Sequence, residues 1–394
     1  MLSANNLKVD SGLEKLPCKM GIFFLIPIFM IHSPILNYKT GIVVMKSSIP
    51  VIHMKAAVLV SVGKIAIKNV DDPVADPGGL VIGVKACGIC STDVKMWRKG
   101  QRDLRCPRIL GHEVVGVVIE SRTDAFSAGD RVQIFPGVVC GECRNCRTGR
   151  DNLCPKIKII GFSYDGGFAE MMKVPPESVR MAGLNRIPST LSYEKATLTE
   201  PLACCLNCAE KLGISPDDTV LILGAGTMGL LNASIAKLRG ARVLVAEVMR
   251  ERTELAKKAG ADRVIDPGSD DLVEVVHEET DGRGADAIIP AFGGAAALYP
   301  VFDLLAKGGR LCLFSGLPDS ESIKNIDLNS IHYEEKMLVG AYGCTSSHNR
   351  MAINLLAKDL SLDWLTVRAV RLDDIEEGLR SAEEKKQLRA VVTN

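Results

Sequence analysis

The chain has 394 residues, enough for two domains. Hydrophobic residues make up 47% and charged residues 24%, and the net charge of +1 offers no electrostatic footprint for nucleic acid or an anionic membrane. Thirteen cysteines in a chain of this length do not suit a secreted disulfide scaffold and point to a reducing cytoplasm.

The first 53 residues stand apart. Gly21–Ile31 is an apolar run behind Lys15 and Lys19. It is shorter than the roughly 20 apolar residues of a membrane span, and Pro27 interrupts it. It has the length of a signal-peptide core, but no small-x-small cleavage site follows closely. Residues 1–53 are therefore expected outside the core, as upstream sequence read in frame from an early start.

From Met54 to about Val174 the pattern predicts mostly strand. Ala56–Val60, Leu80–Val84, Val114–Ile119 and Arg131–Phe135 are short, β-branched and bounded by Gly, Pro or Asp. Two short segments in this region carry ligand-type side chains: Cys87-Gly-Ile-Cys90-Ser-Thr-Asp93 and Gly111-His112-Glu113. A third, Thr199-Glu200-Pro201-Leu202, follows later. Each is weak alone, since a buried cysteine is usually a small apolar residue. Together they offer cysteine, histidine and carboxylate, a three-ligand set that leaves one zinc position for substrate or water.

Between them lie Cys140, Cys143, Cys146 and Cys154, spaced C-x2-C-x2-C-x7-C. Four thiolates within fifteen residues can close a tetrahedral zinc shell with no open position, which is a structural site. An iron–sulfur cluster and a nucleic-acid-binding zinc module also use such cysteines. The absence of a basic excess and the surrounding pattern weigh against both.

From about Asp217 strand and helix alternate. Thr219–Leu223 leads to a helix ending near Arg239, Arg242–Ala246 to one ending near Ala259, and Ala285–Ile289 to one ending near Leu305, before strand Arg310–Phe314. This predicts a doubly wound parallel sheet with helices on both faces. The first strand runs into Gly224, Gly226 and Gly229, a G-x-G-x-x-G at the start of a helix. The glycines permit a tight turn, backbone approach to a pyrophosphate, and close helix–strand packing, while Thr227 and Met228 fall at the helix N-terminus that faces the phosphates. Glu247 ends the next strand, eighteen residues past Gly229. A carboxylate there accepts from the adenosine ribose and repels a 2′-phosphate, favouring NAD over NADP. Arg250 and Arg252 lie just beyond and can soften that rejection.

The order Gly-Ile-Cys-x-Thr-Asp, Gly-His-Glu, four-cysteine lobe, Glu-Pro-Leu and G-x-G-x-x-G resembles the zinc-containing medium-chain alcohol and polyol dehydrogenases, especially the sorbitol dehydrogenase and threonine 3-dehydrogenase branch. Asp165-Gly166-Gly167-Phe168-Ala169-Glu170 fits the same pattern. The resemblance implies an α/β protein: a chaperonin-10-like β catalytic domain over 54–202 and 341–394, and a Rossmann domain over 203–340. It implies two zinc ions per chain, one structural and one at Cys90, His112 and Glu200, with Glu113 able to join or leave. Thr92 matches the residue that takes the substrate proton, and Asp93 the acid that orients the histidine ligand. Dimers or tetramers are usual among such relatives.

Three positions depart from the pattern. Lys95 stands where many relatives carry a histidine ending the proton relay, and Tyr342-Gly343 replaces an arginine-containing segment used for polyol contacts. Val367–Leu372 lacks the usual Thr-His-Arg, so no pyrophosphate arginine is assigned.

Cys204 and Cys205 lie close enough to Glu200 to compete as ligands. Pro201 is expected to push Glu200 into extended geometry facing a cleft, with both cysteines on the helix that follows. The expected activity is hydride transfer from a small polar alcohol to NAD, with zinc as Lewis acid and Thr92 as proton acceptor. The rival is a zinc- and dinucleotide-binding redox sensor on the same fold, which fold alone does not exclude.

Overall fold

The computed structural model describes residues 53–292, 300–316, 327–358 and 360–394; the expected extension over 1–53 lies, but for His53, outside them. The described part carries two main sheets. One has seven strands and is mostly antiparallel. Its central strands are Leu80–Ile89 and Glu113–Ser121, and two strands come from the far end of the chain. Arg389–Thr393 pairs antiparallel with Leu80–Ile89 and parallel with Val367–Arg371. The carboxyl-terminal segment thus completes the first sheet. A three-stranded sheet, with His53–Ser61 at its centre, packs into the same core.

The other main sheet is parallel and six-stranded. Its spatial order is Arg263–Ile265, Arg242–Ala246, Thr219–Leu223, Ala285–Pro290, Leu305–Leu313, Met337–Gly340. In chain order that is 3-2-1-4-5-6, the Rossmann arrangement with its switch point beside the first strand. Both faces are covered, so the strands read as unbroken apolar runs rather than alternating ones. Val220 and Ile222 pack into one core, and Leu221 and Leu223 into another on the opposite face.

Two sequence expectations shift here. Leu305, expected to end a helix, is the first residue of a strand; residues 293–299, which that helix would have covered, lie outside the described part. Glu200, expected in extended geometry, is the second residue of the Thr199–Leu212 helix. Proline is tolerated in a first helical turn because the N–H it lacks has no intrahelical partner there, so Pro201 does not displace Glu200. The helix closes on Gly213 at φ +62°, a left-handed cap suited to glycine. The Ser346–Lys358 helix packs against it. No described helix is long and apolar enough to cross a membrane.

Candidate functional site

The site begins with a helix cap. Cys90 follows the Leu80–Ile89 strand and caps the Ser91–Lys99 helix, its Sγ accepting from Thr92 N at 3.4 Å. The reciprocal half of the cap is Asp93, whose Oδ2 accepts from Cys90 N at 2.9 Å. The other oxygen of Asp93, fully buried, lies 3.2 Å from His112 Nδ1. One carboxylate therefore fixes both residues. With Nδ1–H donated to Asp93, Nε2 of His112 is left to face a metal. Burial disfavours a charged imidazole, but the facing Asp93 and Cys90 together outweigh it and hold the His112 pKa well above its ordinary value.

His112 leads directly into the Glu113–Ser121 strand. Ligand atoms of Cys90, His112 and Glu113 all lie within 4.8 Å of one another. Glu113 is also engaged from below: Arg389 Nη2 donates to its Oε2, with the two side chains 5% and 1% exposed. Gly88 makes room for this pair, because a Cβ there would collide with both the carboxylate and the guanidinium. Glu200 is not in that three-atom set. Its Oε1 accepts from Cys204 Sγ at 3.2 Å, and Glu200, Cys204 and Cys344 form a second group within 4.8 Å.

Thr92 sits half-buried in the first turn of the helix, and Lys95 follows on the same side, exposed and outside the cluster. Arg389 and Cys344 were not singled out in the sequence. The one signal for Arg389 is a charge opening an otherwise apolar carboxyl-terminal strand, Arg389–Thr393.

The four cysteines of the lobe come together, their ligand atoms within 4.8 Å of one another. Sγ separations are 3.5 Å for Cys143–Cys146 and Cys140–Cys154, and 3.9 Å for Cys140–Cys146. A zinc–sulfur bond of about 2.3 Å puts tetrahedral sulfurs about 3.8 Å apart, so these residues fit zinc. N–H donors of Cys143 and Glu142 bring the Cys140 thiol down to about 6, whereas burial pushes Cys146 up to about 12.

At the other sheet, Gly224 has φ +94°, and a Cβ on Gly229 would collide with the Gly224 carbonyl, while one on Gly226 meets nothing within 4 Å. The turn therefore needs its first and third glycines and leaves open space at the second, which suits an approaching pyrophosphate. Glu247 braces the turn: its carboxylate accepts from Ala225 N at 2.6 Å and Met249 N at 2.8 Å. Met228 is half-buried against the core of this sheet. Thr227 Oγ1 donates to Leu388 O, and Arg252 donates to Lys385 O at 3.1 Å. The two half-sites are tied together by adjacent residues, because Leu388 holds the dinucleotide helix and Arg389 holds Glu113.

Comparison with known proteins agrees with this geometry. The chain matches the alcohol dehydrogenase GroES-like domain over residues 76–182 and the zinc-binding dehydrogenase domain over 227–358. It is 38% identical over 286 residues to an L-threonine 3-dehydrogenase of Pyrococcus abyssi, spanning 71% of this chain and 79% of that protein. It is 35% identical to a sorbitol dehydrogenase of Bacillus subtilis, spanning 69% and 77%. The chain belongs to the zinc-containing medium-chain alcohol and polyol dehydrogenases. A zinc-binding dehydrogenase of Sinorhizobium meliloti 1021, solved with NADP, superposes with a TM-score of 0.80 at 32% identity, covering 87% of this chain and 99% of that one. The dehydrogenase fold expected from the sequence is thus the observed one, and the chain is a zinc-dependent, NAD(P)-linked oxidoreductase acting on CH–OH groups. Nothing in these comparisons supports the redox-sensor alternative.

Proposed function

We propose that this dehydrogenase oxidises a secondary alcohol flanked by a second polar group, a polyol, sugar alcohol or hydroxy-amino acid, with NAD preferred over NADP. The observation that carries the site assignment is the Asp93 bridge: one buried carboxylate holds Cys90 through its backbone and His112 through Nδ1. When bound, zinc supplies Lewis-acid polarisation of the hydroxyl and the nicotinamide accepts the hydride.

The chain's own residues do the rest. Cys90, His112 and Glu200 hold the catalytic ion, and Glu113 joins or leaves while Arg389 neutralises it. Asp93 fixes the His112 tautomer. Thr92 takes the hydroxyl proton, and Lys95, exposed one turn on, is the outer end of that path. Cys140, Cys143, Cys146 and Cys154 hold the structural ion. Gly224, Gly226, Thr227, Met228 and Gly229 receive the pyrophosphate, with Glu247 at the ribose and Arg252 beside it.

The carboxylate ligand bears on the substrate. It is a harder donor than a thiolate and leaves zinc looser and more hydrated, which suits neighbouring hydroxyls. The relatives acting on sorbitol and L-threonine support this reading. We place 54–202 and 341–394 in the catalytic unit and 203–340 in the nucleotide unit, in a cytoplasmic homodimer or homotetramer. A panel of polyols, hydroxy-amino acids and simple alcohols, read by NADH absorbance, tests the substrate class. Ethanol outperforming every member of the first two groups defeats it.

A further inference from the structure

The cysteines of the Thr199–Leu212 helix are not spent on the expected catalytic set. Glu200 and Cys204 are four residues apart on this helix and share a face. Cys344, 5% exposed, meets them from the loop ahead of the Ser346–Lys358 helix. That loop is held from several sides. Asn152 donates to Tyr342 O at 2.7 Å, Asn207 to Gly343 O at 2.9 Å, and Ser346 Oγ to Asp151 at 2.5 Å. Cys344 is therefore presented on a fixed backbone rather than left to packing.

The bland explanation is that these are small core side chains. It does not account for a thiol donating to a carboxylate with a second thiol beside it. Nor does it explain why the one hydrogen bond to the Glu200 carboxylate among the described residues comes from sulfur.

We propose that Glu200, Cys204 and Cys344 form an additional cation position beside the Cys90–His112–Glu113 set, for a thiophilic divalent ion such as Zn²⁺ or Cd²⁺. For zinc, bonds of about 2.3 Å to sulfur and about 2.1 Å to oxygen place tetrahedral S···O pairs about 3.6 Å apart. The Cys204–Glu200 separation of 3.2 Å needs only a small opening. Two thiolates select a soft or borderline ion over Mg²⁺ or Ca²⁺. Binding displaces two thiol protons to solvent, M²⁺ + 2 RSH → M(SR)₂ + 2 H⁺, and is favoured as pH rises. Glu200 offers Oε1 to this ion and retains Oε2 for the catalytic one. The position rests on the assigned zinc sites only in sharing that residue.

The test is equilibrium dialysis of the zinc-loaded, full-length enzyme against Cd²⁺ alone, with metal per chain and ultraviolet thiolate-to-cadmium absorption as readouts. The intact protein should take up one ion beyond the structural and catalytic pair. Cys344→Ser and Cys204→Ser should each lose that ion, and Cys90→Ala should retain it. Should a serine variant fail to fold, the summed zinc and cadmium per chain of the intact protein still decides, because cadmium that merely replaces zinc in an existing site leaves that sum at two. A sum of two, or an extra ion that survives both serine substitutions or disappears with Cys90→Ala, overturns the proposal. Failure of the two readings is separable. An enzyme inactive on every alcohol that still binds the extra ion defeats the hydride-transfer reading alone. An active enzyme without that ion defeats only the additional site.

Discussion

The guanidinium of Arg389 donates to the carboxylate of Glu113 at the Cys90–His112–Glu113 cluster, joining residues 276 positions apart, both nearly closed to solvent. Gly88 is the register partner of both Glu113 and Val391, which brings the carboxyl-terminal strand to the foot of the site. A buried pair of this kind contributes little as a pair, but breaking it leaves a charge that cannot be hydrated. Arg389→Met should therefore cost about 3–5 kcal/mol. Glu113→Leu combined with Arg389→Met should recover much of that loss. Urea denaturation measures both, and an Arg389→Met midpoint matching the unmodified protein would falsify the account.

Asp93 offers a sharper probe of metal retention. Asp93→Asn removes the charge facing His112 Nδ1 and alters the cap on Cys90. Losing such an orienting carboxylate typically weakens metal affinity about 10–100-fold. Chelator competition should show one zinc leaving far faster while the four-cysteine ion stays. Equal release of both ions in variant and parent would refute the bridging role.

How much of this was legible in the sequence depended on range. Thr219–Leu223 and Arg242–Ala246 match their expected limits because strands buried on both faces announce themselves as apolar runs. Asp93 was readable as well, since Cys90 shares its motif and His112 lies in the next motif of the same family pattern. Arg389 was not, because its partner is brought near only by a sheet that sets the carboxyl-terminal strand beside Leu80–Ile89 and, through it, Glu113–Ser121. Cys344 is a lone cysteine in a polar loop until the Thr199–Leu212 helix packs beside it. The extended geometry assigned to Glu200 failed because the pre-proline rule is a tendency that a first helical turn can absorb.

The metal count follows from two separate ligand sets under ordinary zinc supply, before any ion is added in excess. Cys143→Ala should lose one ion and much stability, because structural zinc contributes folding free energy directly. Cys90→Ala should lose the other ion and the activity, with thermal stability largely kept. Metal analysis giving a single zinc in the intact protein, or a Cys143→Ala variant as stable as its parent, contradicts this.

Cofactor choice is expected to turn on Glu247. Glu247 is 7% exposed and its carboxylate accepts from Ala225 N and Met249 N, so it braces the glycine turn. An ionised carboxylate has about four acceptor sites, so these two bonds leave capacity for ribose hydroxyls. A 2′-phosphate at the same place would meet a fixed negative charge. Against this, Arg250 is exposed and, among the described residues, the Arg252 guanidinium reaches only the Lys385 carbonyl, leaving both groups donors to spare. The structural relative solved with NADP shows that this fold takes the phosphorylated cofactor. If Glu247 dominates, the intact enzyme should have the higher kcat/KM with NAD. Glu247→Ala should narrow the gap from both sides, raising the KM for NAD by loosening the turn and lowering that for NADP by removing the repulsion. Glu247→Gln should restore part of the NAD affinity, because its amide oxygen can still accept from Ala225 N. Steady-state kinetics with both cofactors decide the matter: an NADP preference in the intact enzyme transfers the discrimination to Arg250 or Arg252.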